Sequence, residues 1–403
     1  MAPFPVVRLK VPAGHRPGRG HPWIYGNEVG GVEGEPGPGT LVRVVDRGGK
    51  RVGEGWFSPA SRIRVRLLAA GTEGEVADEA AALDLVRARL AAAGRLRTGL
   101  GYGTAARLVF GESDGLPGLV VDRYGDACVF QLNSAGTEVL RERLTPLLRE
   151  VFGASIVVER SDTGNREREG LQPVRGVRAG ELPAGGLVSF SEGGLELVAD
   201  VLEGQKTGFY LDQRDSWLAL RPLARGRRVL DICCYTGAFG LSMLSGGAVS
   251  LTGIDSSRRA VDVAGGAARR NGFGAACGRA RFECADALEA VPALVKSGER
   301  FDLVLVDPPA MARTRAHRDL AIRGYRAYNA AALAATAPGG LLFSCSCTPW
   351  VGVPELAALV TEEAARAGRE VVLLEVRGQS RDHPVHPLMP ETSYLTGTLW
   401  HAV

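Results

Sequence analysis

No stretch of this chain stays apolar for the roughly 20 residues that a membrane-spanning helix needs, and the opening residues MAPFPVVRLK lack the zones of a secretory signal. A cytoplasmic protein with no membrane partner is therefore expected. Paired C-x-x-C spacing is also missing. The seven cysteines (128, 233, 234, 277, 284, 345 and 347) neither outline a zinc site nor suggest a disulfide framework in a chain of 403 residues, so no metal is expected. Absent too is G-x-G-x-x-G, the glycine turn that cradles a dinucleotide pyrophosphate, which argues against hydride chemistry.

What the chain does contain, from Arg228 to Leu244, is RVLDICCYTGAFGLSML. An apolar run, Val229 to Ile232, enters a turn carrying Gly237 and Gly240, after which the apolar residues take helical spacing. This predicts a strand, a tight turn and a helix whose N-terminus offers unpaired N–H groups to a ligand. A second strand, Val249 to Ile254, ends in Asp255-Ser256. A third, Ala280 to Cys284, is followed by Asp286, and a fourth, Phe301 to Val306, by Asp307-Pro308-Pro309. Any one of these carboxylates could be a turn or a helix cap. Three at successive strand ends meet on one rim of a parallel sheet, the rim where such folds bind ligands. Asp255 suits ribose hydroxyls and Asp286 an adenine amino group. With the dinucleotide turn absent, the expected cofactor is S-adenosyl-L-methionine.

The rest of the C-terminal half continues this pattern. A fifth strand, Leu341 to Ser344, runs into Cys345-Ser346-Cys347, and strands at Glu370 to Glu375 and Leu395 to Ala402 follow. The succession predicts an α/β fold: a class I, Rossmann-like methyltransferase sheet of seven strands, the last reversed, within residues 199–403. The cysteine narrows the chemistry. C5 of a pyrimidine is a poor nucleophile, but a thiolate added at C6 makes C5 enamine-like, provided a neighbouring group meets the charge at N3. Cys345 and Asp307 sit at adjacent strand ends, and paired strands lie about 4.8 Å apart, so the two could flank one flipped base. Cys347 competes for the role, and small residues at buried strand ends are the plainer reading of the pair. Arg214, in the polar segment 201–220, suits a ligand carboxylate or an ion pair with Asp212 or Asp215.

The formal net charge of +3 hides an asymmetry: residues 1–70 hold eleven Lys or Arg against five acids, or +6, which leaves −3 for the remainder. A polyanion should meet that end first. Residues 1–72 read as a small β domain, in which Arg62, Arg64 and Arg66 share one face of an alternating strand. Trp23 and Tyr25, near Arg16 and Arg19, serve either for base stacking or as plugs of a small barrel. Residues 73–198 read as a central α+β domain without a catalytic cluster. A basic stretch after Asp307 holds Arg313 and Arg315.

Read in order, GHPWIYGNEV, ESDGLPGLVVDRYGD, QKTGFYLDQRDS, YTGAFG, DPPA, RGYRAYN, PGG, FSCS and DHPV resemble the RlmI-type 23S ribosomal RNA (cytosine-5) methyltransferases over nearly the whole chain. The resemblance implies a PUA-like RNA-binding β-barrel at 1–72, a central domain at 73–198 and the methyltransferase domain at 199–403. It also implies that Tyr235, Thr236, Gly237, Asp255, Asp286 and Asp307 line the cofactor site and that Cys345 is the nucleophile. The partner would be 23S ribosomal RNA or a large-subunit assembly intermediate, with a homodimer left open. The chain departs at Ala310-Met311, where relatives commonly have Lys or Thr, then Phe. The alternatives are a guanine-nitrogen methyltransferase of the same fold, which needs no thiol, and a non-catalytic RNA-binding or assembly protein.

Overall fold

Short runs such as Leu41-Val-Arg-Val-Val45 become strands because successive side chains point to opposite faces, so that one face can be apolar and buried. The computed structural model describes residues 4–10, 12, 20–71, 73–274, 277–311 and 318–403. Arg16, Arg19, Arg313 and Arg315 lie outside the described residues. The chain forms two compact units, one of Met1–Phe190, Ala199–Phe209 and Asp382–Thr392, the other of Ser191–Val198, Tyr210–Arg381 and Ser393–Val403.

The first unit opens with β1 (Val6–Leu9), β2 (Trp23–Tyr25), β3 (Val29–Glu33), β4 (Leu41–Val45), β5 (Arg51–Phe57) and β6 (Ile63–Ala70). They pair in the order β2-β6-β5-β4-β1-β3, antiparallel except for β1 with β4. Val7, Ile24, Val44 and Val65 fill their core. Next come α1 (Glu79–Gly99), β7 (Ala105–Phe110), β8 (Leu119–Tyr124), β9 (Ala127–Leu132), α2 (Ala135–Glu138), α3 (Arg141–Phe152), β10 (Ile156–Ser161), α4 (Asn165–Arg168) and β11 (Val174–Ala179). The order here is β11-β10-β9-β8-β7. Leu41, Trp56 and Leu68 of the first sheet share one apolar core with Val86 and Leu90 of α1 and Val121 and Phe130 of the second. A hairpin, β12 (Leu187–Glu192) with β13 (Leu195–Asp200), is divided between the two units. The Asp382-His383 pair is buried in the first unit. There Asp382 Oδ2 accepts the Arg107 N–H at 2.9 Å and its carbonyl accepts from Arg97 at 2.8 Å.

The second unit alternates strand and helix: α5 (Arg214–Leu220), β14 (Arg228–Ile232), α6 (Ala238–Ser245), β15 (Ser250–Asp255), α7 (Arg258–Arg270), β16 (Ala280–Cys284), α8 (Ala287–Lys296), β17 (Phe301–Val306), α9 (Arg318–Ala335), β18 (Thr336–Ser346), α10 (Val353–Arg366), β19 (Val371–Arg377) and β20 (Thr396–Ala402). The sheet runs β16-β15-β14-β17-β18-β20-β19, and β20 alone is antiparallel to its neighbours. This is the expected seven-stranded sheet with its last strand reversed. Helices cover the central strands, so β14 and β17 bury Leu230, Ile232, Val304 and Val306 almost completely. Between β14 and β17 the order changes direction, and the crevice at such a switch point takes ligands. Among the described residues no helix is long and apolar enough to cross a membrane.

Candidate functional site

Strand register sets the site out in one row. Ile232 pairs with Ile254 on one side and with Val306 on the other, and Val306 pairs with Ser344. The next residues, Asp255, Cys233, Asp307 and Cys345, therefore reach the same level on four neighbouring strands.

The turn after β14 is strained and held. Cys233 (φ 63°), Tyr235 (φ 49°) and Gly237 (φ 81°) all take the left-handed conformation. For a residue with a side chain this costs about 1–3 kcal/mol, so the surroundings must enforce it. Tyr235 N–H donates to Asp255 Oδ2 at 2.9 Å, Cys234 N–H to Ile254 O at 3.0 Å, and Gly240 N–H, in the first turn of α6, to Asp231 Oδ2 at 2.9 Å. Asp231 is fully enclosed. Burial pushes its carboxyl up to about 8, against the Gly240 hydrogen bond and helped by the charges of Asp307 and Asp255. Asp231 was missed from sequence, although one acid inside an apolar strand was a signal. A Cβ on Gly240 would lie 2.6 Å from Leu251 Cδ1 and 3.0 Å from Asp231 Oδ2. This glycine thus serves the packing of α6 on the sheet and not the close approach of a ligand.

The carboxylates at the rim fit an adenosine-bearing cofactor. Asp255 Oδ1 accepts from Ser257 N and Oδ2 from Tyr235 N, each at 2.9 Å. Each carboxylate oxygen has two lone pairs, so one remains on each for a vicinal pair of ribose hydroxyls. Asp286 is exposed and caps α8 through Oδ1, which accepts Leu288 N at 2.8 Å and leaves Oδ2 for an amine. Half-buried Tyr235 stands edge-on to Tyr210, ring centres 5.1 Å apart. Thr236 is buried and Ser256 exposed; it is Ser257 that caps α7. Arg214 is fully enclosed and donates to Glu192 Oε2 at 2.7 Å.

Beside this rim stands the cysteine. Cys345 is only 1% exposed, and Gln213 Nε2 donates both to its sulfur, at 3.2 Å, and to Asp307 Oδ2, at 2.9 Å. Burial first, and the Asp307 charge second, push the thiol well above its ordinary range, while the Gln213 hydrogen bond pulls the other way. The thiol therefore keeps its proton at neutral pH. Cys347 instead directs its sulfur to the Pro308 carbonyl, at 3.6 Å. Gln213, like Asp231, is a site residue that the sequence did not single out. Met311, at the departure from the family pattern, packs with Tyr325, Val351 and Leu356.

The first unit uses much of its positive charge internally. Glu54, fully buried, binds Arg51 at 2.6 Å and Arg43 at 3.3 Å. Arg66 binds Glu169 at 2.8 Å, and its guanidinium lies 5.5 Å from the Trp23 ring centre, while Trp23 Nε1 donates to Glu112 at 2.7 Å. Trp23 is half-buried in this arrangement. Arg64 donates to the Ser58 and Pro59 carbonyls and lies over Phe57. Arg62 is exposed.

Comparison with known proteins gives the family and the fold. Residues 7–70 match the family model of the PUA-like domain, and residues 182–389 that of the S-adenosylmethionine-dependent methyltransferases. The chain is 37% identical over 388 residues to ribosomal RNA large subunit methyltransferase I of Aeromonas hydrophila, covering 95% of this chain and 96% of that protein. With the protein of the same name from Shewanella amazonensis it shares 36% over 394 residues, 97% and 98% of the two chains. Its fold is similar to that of a candidate methyltransferase solved with S-adenosylhomocysteine, with a TM-score of 0.80 at 17% identity, covering 98% of this chain and 100% of the other. A methyltransferase of Agrobacterium tumefaciens is similar over 74% of this chain and 90% of its own, with 18% identity and a TM-score of 0.53.

Proposed function

The chain belongs to the S-adenosylmethionine-dependent methyltransferase family, alongside the relatives named ribosomal RNA large subunit methyltransferase I, and from that membership we propose that it converts a cytosine of 23S ribosomal RNA into 5-methylcytosine, in the cytoplasm. The observation that supports the base and the chemistry is the Cys345 sulfur and the Asp307 carboxylate meeting on one amide nitrogen. Tyr235, Asp255 and Asp286 would hold S-adenosyl-L-methionine, which when bound would supply an electrophilic methyl group.

This chain's residues do the rest. The Cys345 thiol gives its proton to Asp307, so the pair still carries one charge, now on sulfur. A Sγ–C6 bond forms as the ring electrons move toward N3, and Asp307 returns the proton there. C5 is left electron-rich, the condition in which it can accept a methyl group. Loss of the C5 proton to a base then breaks the Sγ–C6 bond and restores the aromatic ring, and the N3 proton, taken up by Asp307, passes to the departing sulfur to restore the thiol. The buried, protonated sulfur suits this order: it is protected from stray reaction until a base occupies the site and Asp307 takes the proton.

The test is covalent trapping. With ribosomal RNA carrying 5-fluorocytosine, whose C5 cannot lose a proton, the enzyme and S-adenosyl-L-methionine should leave an adduct stable to denaturing electrophoresis. Cys345→Ala should give no adduct and reduce methylation on the order of 10⁴-fold or more. Undiminished turnover by Cys345→Ala would exclude the cytosine reading and favour methylation of a guanine nitrogen.

A further inference from the structure

The Gln213 amide is fixed in orientation and incompletely bonded. A carboxylate can only accept hydrogen bonds, so the group facing Asp307 Oδ2 at 2.9 Å must be Nε2, and its other hydrogen points to Cys345 Sγ at 3.2 Å. That leaves Oε1, which is buried and has no hydrogen-bond partner among the described residues, on a side chain in a residue only 5% exposed. Buried acceptors are nearly always satisfied, and one that is not awaits a donor. Turning the amide over would not help, because Oε1 would then oppose the carboxylate.

We propose that Gln213 is both the positioning residue of the nucleophile and the group that selects the base: its Nε2 holds Cys345 beside Asp307, and its Oε1 accepts the exocyclic 4-amino group of cytosine. The inference rests on the cytosine reading given above and adds the means of discrimination. Cytosine presents a donor at position 4 next to its N3 acceptor; uracil presents a carbonyl there. Against a fixed Oε1 the carbonyl of uracil is a second acceptor with no proton between the two. A site built around a buried polar partner in this way rejects the analogue that lacks the matching group far more strongly than a site that discriminates by shape. The Nε2 arm acts on the sulfur. It is the hydrogen bond that favours thiolate, against burial and the charges of Asp307, Cys347 and Asp212, which disfavour it.

The experiment compares the full-length enzyme with Gln213→Leu and Gln213→Glu on the same ribosomal RNA fragment carrying cytosine or uracil at the methylated position. Product bases are separated after nuclease digestion, and S-adenosyl-L-methionine affinity is measured by calorimetry. The wild type should favour cytosine by at least about 10³-fold. Gln213→Leu should bind S-adenosyl-L-methionine normally, lose kcat on cytosine, narrow the preference to within about tenfold and move the alkaline side of its pH–rate profile upward. Gln213→Glu keeps an acceptor of the same reach but loses the N–H donors, so it should keep the preference while losing kcat. It serves as the second variant should Gln213→Leu fail to fold. Wild-type kcat, base preference and pH profile in a folded Gln213→Leu would overturn the proposal. Failure of the wild type itself to form the 5-fluorocytosine adduct would instead overturn the cytosine reading on which it rests.

Discussion

Asp307 and Cys345 follow a register pair, Val306 with Ser344, on neighbouring parallel strands, and their side chains share a single hydrogen-bond donor. Shared placement couples their protonation. The carboxylate charge is a reason the sulfur holds its proton, and the carboxylate shares with that sulfur the Gln213 amide nitrogen.

Asp307→Asn separates these two effects. Removing the negative charge lets Cys345 ionise at lower pH, since a cause of its upward shift is gone. Turnover should nevertheless fall by about 10²–10⁴-fold, because no group remains to move the proton to N3. The first effect is read from the pH titration of thiolate ultraviolet absorbance, taken as the difference from the matching Cys345→Ala protein. A variant that loses turnover without any change in that titration would show that the carboxylate does not face the sulfur.

Asp231 predicts a pH dependence of stability. Its carboxyl is raised from 3.8 to about 8 in the folded chain, so between those values the folded state holds a proton that the unfolded state has released. Stability attributable to this group is complete below about pH 4 and is lost as pH rises through about 8, at roughly 1.4 kcal/mol per pH unit. Asparagine has the same shape and can still accept the Gly240 N–H. Asp231→Asn should therefore flatten this slope and raise the melting temperature at pH 8 relative to the parent, with little difference at pH 4. Equal melting temperatures at both pH values would show that the carboxyl is ionised in the native chain.

Gly240→Ala tests why the turn carries its second glycine. The added methyl would meet Leu251 at 2.6 Å and the Asp231 carboxyl at 3.0 Å, and α6 would have to lift from the sheet. Overpacking of this kind costs about 1–3 kcal/mol, which denaturant unfolding would register. If the glycine only gave a ligand access, stability would be unchanged and cofactor affinity alone would drop.

The central sheet was legible because each strand is an apolar run ending in an acid, a pattern that local sequence carries. Asp255, Asp307 and Cys345 fell out of it directly, since register follows once strand order is known. Gln213 did not, because its importance lies in contacts 94 and 132 residues away along the chain. The basic face of β6 was over-read for a similar reason. Alternation put Arg62, Arg64 and Arg66 on one face, but the strand begins only at Ile63, and the folded chain shows Arg64 capped by the Ser58 and Pro59 carbonyls and Arg66 engaged by Glu169. The partners of Asp382, Arg97 and Arg107, are likewise distant, 285 and 275 residues earlier in the chain.

That redistribution of charge changes how RNA contact by the first unit should be tested. Removing residues 1–70 would strip Leu41, Trp56 and Leu68 from a core they share with α1 and the second sheet, so weakened binding would report unfolding as readily as lost contacts. A single exposed cation avoids this. If Arg62 meets a phosphate, Arg62→Gln should lower affinity and reduce the slope of log K against log salt by about 0.7–0.9, one counterion's worth. Arg64→Gln is the matched control: its guanidinium is already committed to backbone carbonyls and to Phe57, so the slope should hold while thermal stability drops. Fluorescence anisotropy with a ribosomal RNA fragment over a series of salt concentrations measures both slopes. Equal slopes for Arg62→Gln and the parent would place the phosphate contacts elsewhere on the chain.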